Sequence, residues 1–141
     1  MVNMLALILN RYNGPLELSE VARPKLSIGQ VLVRIAASGL NPLDTKIRSG
    51  SAAHAKHPVP LVLGIDMAGV VEEIGPGVTA FKVSDEVYGM TGGVGGIPGS
   101  LAQYAAVDAD LLAFITSYSG IVDRAHLKAG QTVLSRAEQA G

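Results

Sequence analysis

The 141-residue sequence has no cysteine and no tryptophan, and its only aromatics are four tyrosines and two phenylalanines. Without a thiol there can be no disulfide, no thiolate nucleophile and no cysteine-ligated zinc. Charge is scarce too: 16% of residues are charged, against roughly 25% in an ordinary soluble domain. Eleven basic residues against twelve acidic ones leave a net charge of −1. With no Lys/Arg stripe and no aromatic platform, the chain lacks the footprint of a nucleic-acid binder. Apolar runs stay far short of the roughly 18 residues of a membrane span. Met1 to Leu9 is apolar but has no basic flank or cleavage site, so a signal peptide is not expected. The expectation is a soluble, cytoplasmic protein that binds neither nucleic acid nor membrane.

What is abundant is aliphatic side chain and glycine. Hydrophobic residues make up 48% of the chain and there are 17 glycines, a mixture that suits short strands joined by tight turns and excludes disorder. The length fits one domain, or one and a fragment, since domains most often run about 100–150 residues.

Along the chain, Met4–Leu9 is a short apolar strand closed by Asn13-Gly14-Pro15. Leu16 and Leu18 alternate with Glu17 and Ser19, and Gln30–Ile35 is rich in β-formers. Asn41 can cap a helix that starts at Pro42 and leaves at Gly50. Leu61–Ile74 holds two apolar stretches split by Gly64-Ile65-Asp66, and Glu86–Met90 is another strand. Thr91–Ser100, with five glycines, is a loop; Leu101–Val107 and Leu111-Leu112 complete a set spaced as in a barrel or sandwich. From Phe114 the apolar residues recur at helical spacing up to Leu127, and Gln131–Leu134 is one more β-prone run.

Few residues suggest chemistry on their own. Gly75-Pro76-Gly77-Val78-Thr79-Ala80 fits a dinucleotide fingerprint, yet a further β-run follows it instead of the helix that would face a pyrophosphate. A turn is therefore expected there. His54 and His57 sit in a loop and His126 near a helix end, with no carboxylate at ligand spacing. Asn41, Asp44 and Lys46 share one short segment, where plain roles are available: a cap, a first-turn carboxylate and a solvated cation.

That segment, Ala37-Ser38-Gly39-Leu40-Asn41-Pro42-Leu43-Asp44-Thr45-Lys46-Ile47-Arg48-Ser49-Gly50, resembles one shared by the quinone-oxidoreductase-like medium-chain dehydrogenases/reductases. Leu63–Val71, the Gly75, Gly77-Val78, Phe81, Asp85 series, Leu101–Ala105, and Gly130–Leu134 agree with the same family in order. The resemblance implies a mainly β fold: a GroES-like, partly open β-barrel with short helices, over residues 1–113. Residues 114–141 would be a C-terminal helix and an orphan strand from the entry into a nucleotide-binding domain. Zinc-dependent relatives have Cys where Asn41 stands and His-Glu where Ile65-Asp66 stand. This sequence thus resembles the zinc-free branch, which transfers a hydride from NADPH to quinones or activated C=C or carbonyl groups. The resemblance makes Asn41 and Lys46 catalytic hydrogen-bond donors and places Asn41, Pro42, Asp44 and Thr116 beside the cofactor.

The chain departs from the family in several places. Lys46 stands where Tyr is frequent, Ser84 replaces a turn glycine, and Ser117 and Ser119 replace an alanine and an acidic residue. A linker expected before Phe114 is missing, and Ser135–Gly141 stands where a glycine-rich loop should begin. The expectation is a shortened reductase, inactive alone. The alternative is a non-catalytic binding module that pairs with a second copy or another chain covering residues 114–134; a gene fragment and a cochaperonin are weaker alternatives.

Overall fold

The computed structural model describes residues 2–52, 58–91 and 97–114. The helix and strand expected after Phe114, Thr116 and the three histidines lie outside them.

Eight strands and one helix build the described fold: β1 (Asn3–Leu9), β2 (Leu16–Ala22), β3 (Gln30–Ser38), α1 (Pro42–Ser49), β4 (Leu61–Val62), β5 (Asp66–Ile74), β6 (Glu86–Met90), β7 (Tyr104–Asp108) and β8 (Leu112–Phe114). A single 3-10 turn, Ala109–Leu111, joins the last two. All pairing is antiparallel, in a three-stranded sheet ordered β2-β1-β4 and a five-stranded sheet ordered β7-β3-β5-β6-β8.

Leu101–Gln103 stitches the sheets together. The Leu7 N–H donates to the Leu101 carbonyl at 2.8 Å and the Gln103 N–H to that of Leu5 at 3.0 Å. The Gln103 carbonyl then accepts from Ile35 on β3 at 2.9 Å. The chain thus crosses from β1 to β3 before β7 begins, which shortens the strand expected over Leu101–Val107. Register shifts at Leu32/Val33 and Ile35/Ala37 bend β3, as bulges do. Together these features curl the sheets into a partly open barrel. Arg23, just past β2, ties the hairpin to the larger sheet, reaching Glu73 at 3.0 Å and lying 4.1 Å over the Tyr104 ring.

Strand alternation fills the barrel. Val31 and Val33, Met67 and Val71, Val87, and Ala105 and Val107 form one buried cluster. Leu9, Ala52, Leu63 and Ile65 form a second with Ile47, the residue by which α1 seats itself. Leu18 breaks the expected pattern: it is 67% exposed, because alternation marks two faces of a strand without saying which is covered. Phe114, grouped above with the following helix, instead ends β8 opposite Val87.

The glycine fingerprint at 75–80 is a turn. No helix follows it before β6, and the Gly75 N–H donates to the Gln30 carbonyl at 2.8 Å. A Cβ at Gly75 would collide with that carbonyl and lie 2.8 Å from the Ser27 oxygen. Close approach of two backbones explains this glycine. Ser84 takes the left-handed φ of +76° that the family's glycine would take freely, a conformation costing an L-residue about 1–2 kcal/mol.

Candidate functional site

The N-terminus of α1 forms where the sequence expects it. Asn41, in extended conformation, accepts the Leu43 N–H on Oδ1 at 2.9 Å, and Pro42 occupies the first helical position. Asp44 closes the capping box, its Oδ2 accepting the Asn41 N–H at 3.3 Å. At the other end Gly50 turns left-handed and its N–H reaches the Ile47 carbonyl. Cap residues of this kind stabilise a helix by about 1 kcal/mol.

Tertiary structure then adds a second layer of contacts. The other oxygen of Asp44, Oδ1, accepts the Gly64 N–H at 3.1 Å, pinning the helix to the crossover between β4 and β5. Asn41 Nδ2 donates to Asp66 Oδ2 at 2.9 Å. Asp66, the first residue of β5, also accepts on its carbonyl from the Gly39 N–H at 2.9 Å and from Ser100 Oγ at 3.0 Å. Ser38 Oγ lies 2.6 Å from Ser100 Oγ. Buried Thr91 donates its hydroxyl to the Gly64 carbonyl at 2.8 Å. The backbone from Gly64 to Asp66 is thus held from four sides.

This network settles the Asn41 amide. Oδ1 faces an N–H that can only donate, and Nδ2 faces a carboxylate that accepts, so a flipped amide would lose both bonds. Of the two Nδ2 hydrogens one goes to Asp66; the second has no acceptor among the described residues and is available to another. Burial raises the Asp44 carboxyl above its ordinary value; the N–H groups of Gly64, Asn41 and Ile65 pull it down, and Asp66 pushes it up.

A raised carboxyl binds its proton more tightly folded than unfolded, so Asp44 weakens stability as pH rises from just above the ordinary carboxyl value through the raised one. Asp44→Asn removes that component and one of two acceptors. Urea midpoints should show the wild type gaining on the variant as pH falls from neutral through the carboxylate range. A constant difference across that range would refute the assignment.

Of the residues expected at the site, the structure brings Asn41 and Asp44 together. Pro42 is exposed beside them, and Lys46 is exposed further along α1, apart from this network. Asp66 stood out in the sequence only as a break in an apolar stretch and as the position of a zinc-branch glutamate, while Ser38, Ser100 and Thr91 carried no signal of a role here. Among the described residues, no group of three or more His, Cys, Asp or Glu could hold a metal ion. A hollow of about 490 Å³ lies elsewhere, lined by residues such as Ile8, Val21, Pro60, Leu61 and Pro98 and by none of the network's side chains.

Residues 27–117 match the family described as the alcohol dehydrogenase GroES-like domain. The chain belongs to that family. A solved alcohol dehydrogenase superfamily protein from Novosphingobium aromaticivorans is 49% identical with a TM-score of 0.76, covering 91% of this chain and 44% of its own. The quinone oxidoreductase of Lama guanicoe is 33% identical over 157 aligned positions, which take in 98% of this chain and 46% of the relative. The chloroplastic NADPH-dependent alkenal/one oxidoreductase of Arabidopsis thaliana is 40% identical over 99 positions, or 67% of this chain and 26% of that protein. The named relatives are oxidoreductases, and the chain spans less than half the length of each of these three.

Proposed function

We propose that the chain is the substrate-side part of a cytoplasmic, zinc-independent, NADPH-dependent reductase of quinones or activated C=C or carbonyl compounds. One observation carries the reading: an asparagine at the mouth of α1 whose amide is locked and whose second N–H has no acceptor among the described residues. Relatives named as quinone and NADPH-dependent alkenal/one oxidoreductases support the substrate and cofactor classes.

The residues present fit the nicotinamide end of such a cofactor in donor chemistry, through Asn41 and Lys46, with Pro42 next to Asn41; Thr116, a cofactor contact by the family resemblance, lies outside the described residues. Both Asp44 oxygens already take backbone N–H groups, which makes Asp44 a support for Asn41 and a cofactor contact only by neighbourhood. Among the described residues no glycine turn opens a helix for a pyrophosphate, so that task falls to others. In this reading residues 1–113 are the catalytic domain and 114–141 lead towards nucleotide binding.

When bound, NADPH supplies a hydride. Reduction of an enone or quinone by that hydride would leave negative charge on the substrate's carbonyl oxygen. The Asn41 Nδ2–H and the Lys46 ammonium are the donors that meet this charge, work a Lewis acid does in metal-dependent enzymes. The test is NADPH oxidation, followed by absorbance, with a simple quinone and an enone as acceptors. By itself the chain is expected to turn over no acceptor, since no described residues cradle the pyrophosphate; oxidation is expected once a relative's nucleotide-binding domain is joined to it, and its absence there at saturating NADPH would overturn the proposal.

Leu40, 99% exposed immediately before the cap, favours a second reading, a binding module whose face docks on a second copy or another chain covering residues 114–134. Self-association in sedimentation without any NADPH oxidation would select it.

A further inference from the structure

We propose that Asp66 is the positioning residue of Asn41: its carboxylate fixes the amide so that the remaining N–H is presented as a donor. The proposal rests on the reductase reading and adds a residue to it. Three observations support it. The Asn41 Nδ2 to Asp66 Oδ2 bond is 2.9 Å long and joins residues 25 apart in sequence. The Asp66 backbone is held in place, since Gly39 and buried Ser100 both donate to its carbonyl, which fixes the point from which the carboxylate reaches Asn41. Gly39 also lies against Asp66, where a Cβ would come within 2.8 Å of the Asp66 Cβ, so a glycine at 39 is what lets the entrance of α1 approach Asp66 this closely.

The cap bond to Leu43 alone would leave the amide a hinge about its Cβ–Cγ bond. A second anchor on Nδ2 removes that freedom, and small losses of alignment at a reacting centre cost up to about a hundredfold in rate. The carboxylate is not there for its charge. A negative group beside a substrate oxygen gaining negative charge opposes the reaction, so a neutral acceptor in the same place should serve at least as well. That contrast separates positioning from electrostatics.

The test uses the 141-residue chain with Asp66→Ala and Asp66→Asn. In ¹H–¹⁵N spectra, the Asn41 Nδ2 proton facing Asp66 should lie downfield, lose that displacement in Asp66→Ala and keep most of it in Asp66→Asn, whose amide oxygen still accepts. In NADPH oxidation by the chain joined to a relative's nucleotide-binding domain, Asp66→Ala should lower kcat about tenfold or more with little change in KM, and Asp66→Asn should keep the wild-type rate or exceed it. An Asn41 resonance unmoved in Asp66→Ala overturns the positioning role, even if the wild type turns over. Displacement as expected with no turnover by the wild-type chain joined to the nucleotide-binding domain overturns the reductase reading instead. If Asp66→Ala does not fold, Asp66→Asn decides: a kcat as low as that of an Asn41 variant overturns the proposal.

Discussion

Gly64→Ala is expected to destabilise the protein by roughly 2–6 kcal/mol, the sum of about 1–3 for backbone strain and about 1–3 for overpacking. Gly64 has φ +113°, and a Cβ there would collide with Ser100 Oγ and stand 2.7 Å from the Ser100 nitrogen. Neither neighbour can retreat. The Ser100 N–H donates to the Gly64 carbonyl at 2.9 Å, and its hydroxyl is bonded to the Asp66 carbonyl. Small domains are stable by only about 5–15 kcal/mol, so thermal melting should fall by roughly 10 °C or more. The Asn41 amide should lose its Asp66 partner in the same variant, because Asp66 lies two residues on. Melting within about 2 °C of wild type would show that the crossover is softer than its contacts imply.

Asn41 carries the largest expected effect on activity. Asn41→Ala removes the helix cap, at about 1 kcal/mol, and the proposed donor, whose loss by analogy with other oxyanion donors slows turnover about 10²–10³-fold. Asn41→Asp separates the two roles. It keeps an acceptor for the Leu43 N–H and so keeps the cap. It also removes the amide donor and sets a third carboxylate against Asp66 and Asp44. Urea midpoints for Asn41→Asp should therefore sit closer to wild type at low pH than at neutral pH, where repulsion is greatest, while NADPH oxidation by the joined chain stays as low as in Asn41→Ala. Full turnover by Asn41→Asp would mean that capping is all residue 41 supplies.

The helix was legible because capping is local. Asn41, Pro42, Asp44 and Gly50 lie within ten residues of one another, and their roles depend on backbone geometry that those residues themselves prefer. Glu86–Met90 and the turn at Gly75–Gly77 were legible for the same reason: β-formers bounded by turn residues, and a glycine pattern with no helix behind it. Phe114 misled because an apolar residue at the edge of a helical pattern fits the end of a strand equally well. Leu101–Gln103 misled because a strand that leaves one sheet for another keeps its β-composition while its partners change.

The second layer of the site had almost no signal. Asp66 was visible as a polar residue interrupting an apolar stretch, but its partner lies 25 residues back, and Ser38 meets Ser100 across 62. Hydroxyls and carboxylates leave no period in the sequence when they satisfy one buried crossover, because each is placed by a different strand.

By itself, then, the sequence determined the local geometry: a capped helix of about two turns, short strands between glycine turns, and an asparagine at the helix entrance. It also excluded thiol chemistry and disulfides outright, since those need an atom the chain does not have. Which face of β2 is covered, how Leu101–Gln103 joins two sheets, and which way the Asn41 amide points were decided only by the tertiary structure. Propensity and capping act within a turn of the chain, whereas burial and hydrogen-bond satisfaction depend on whichever groups the fold brings together.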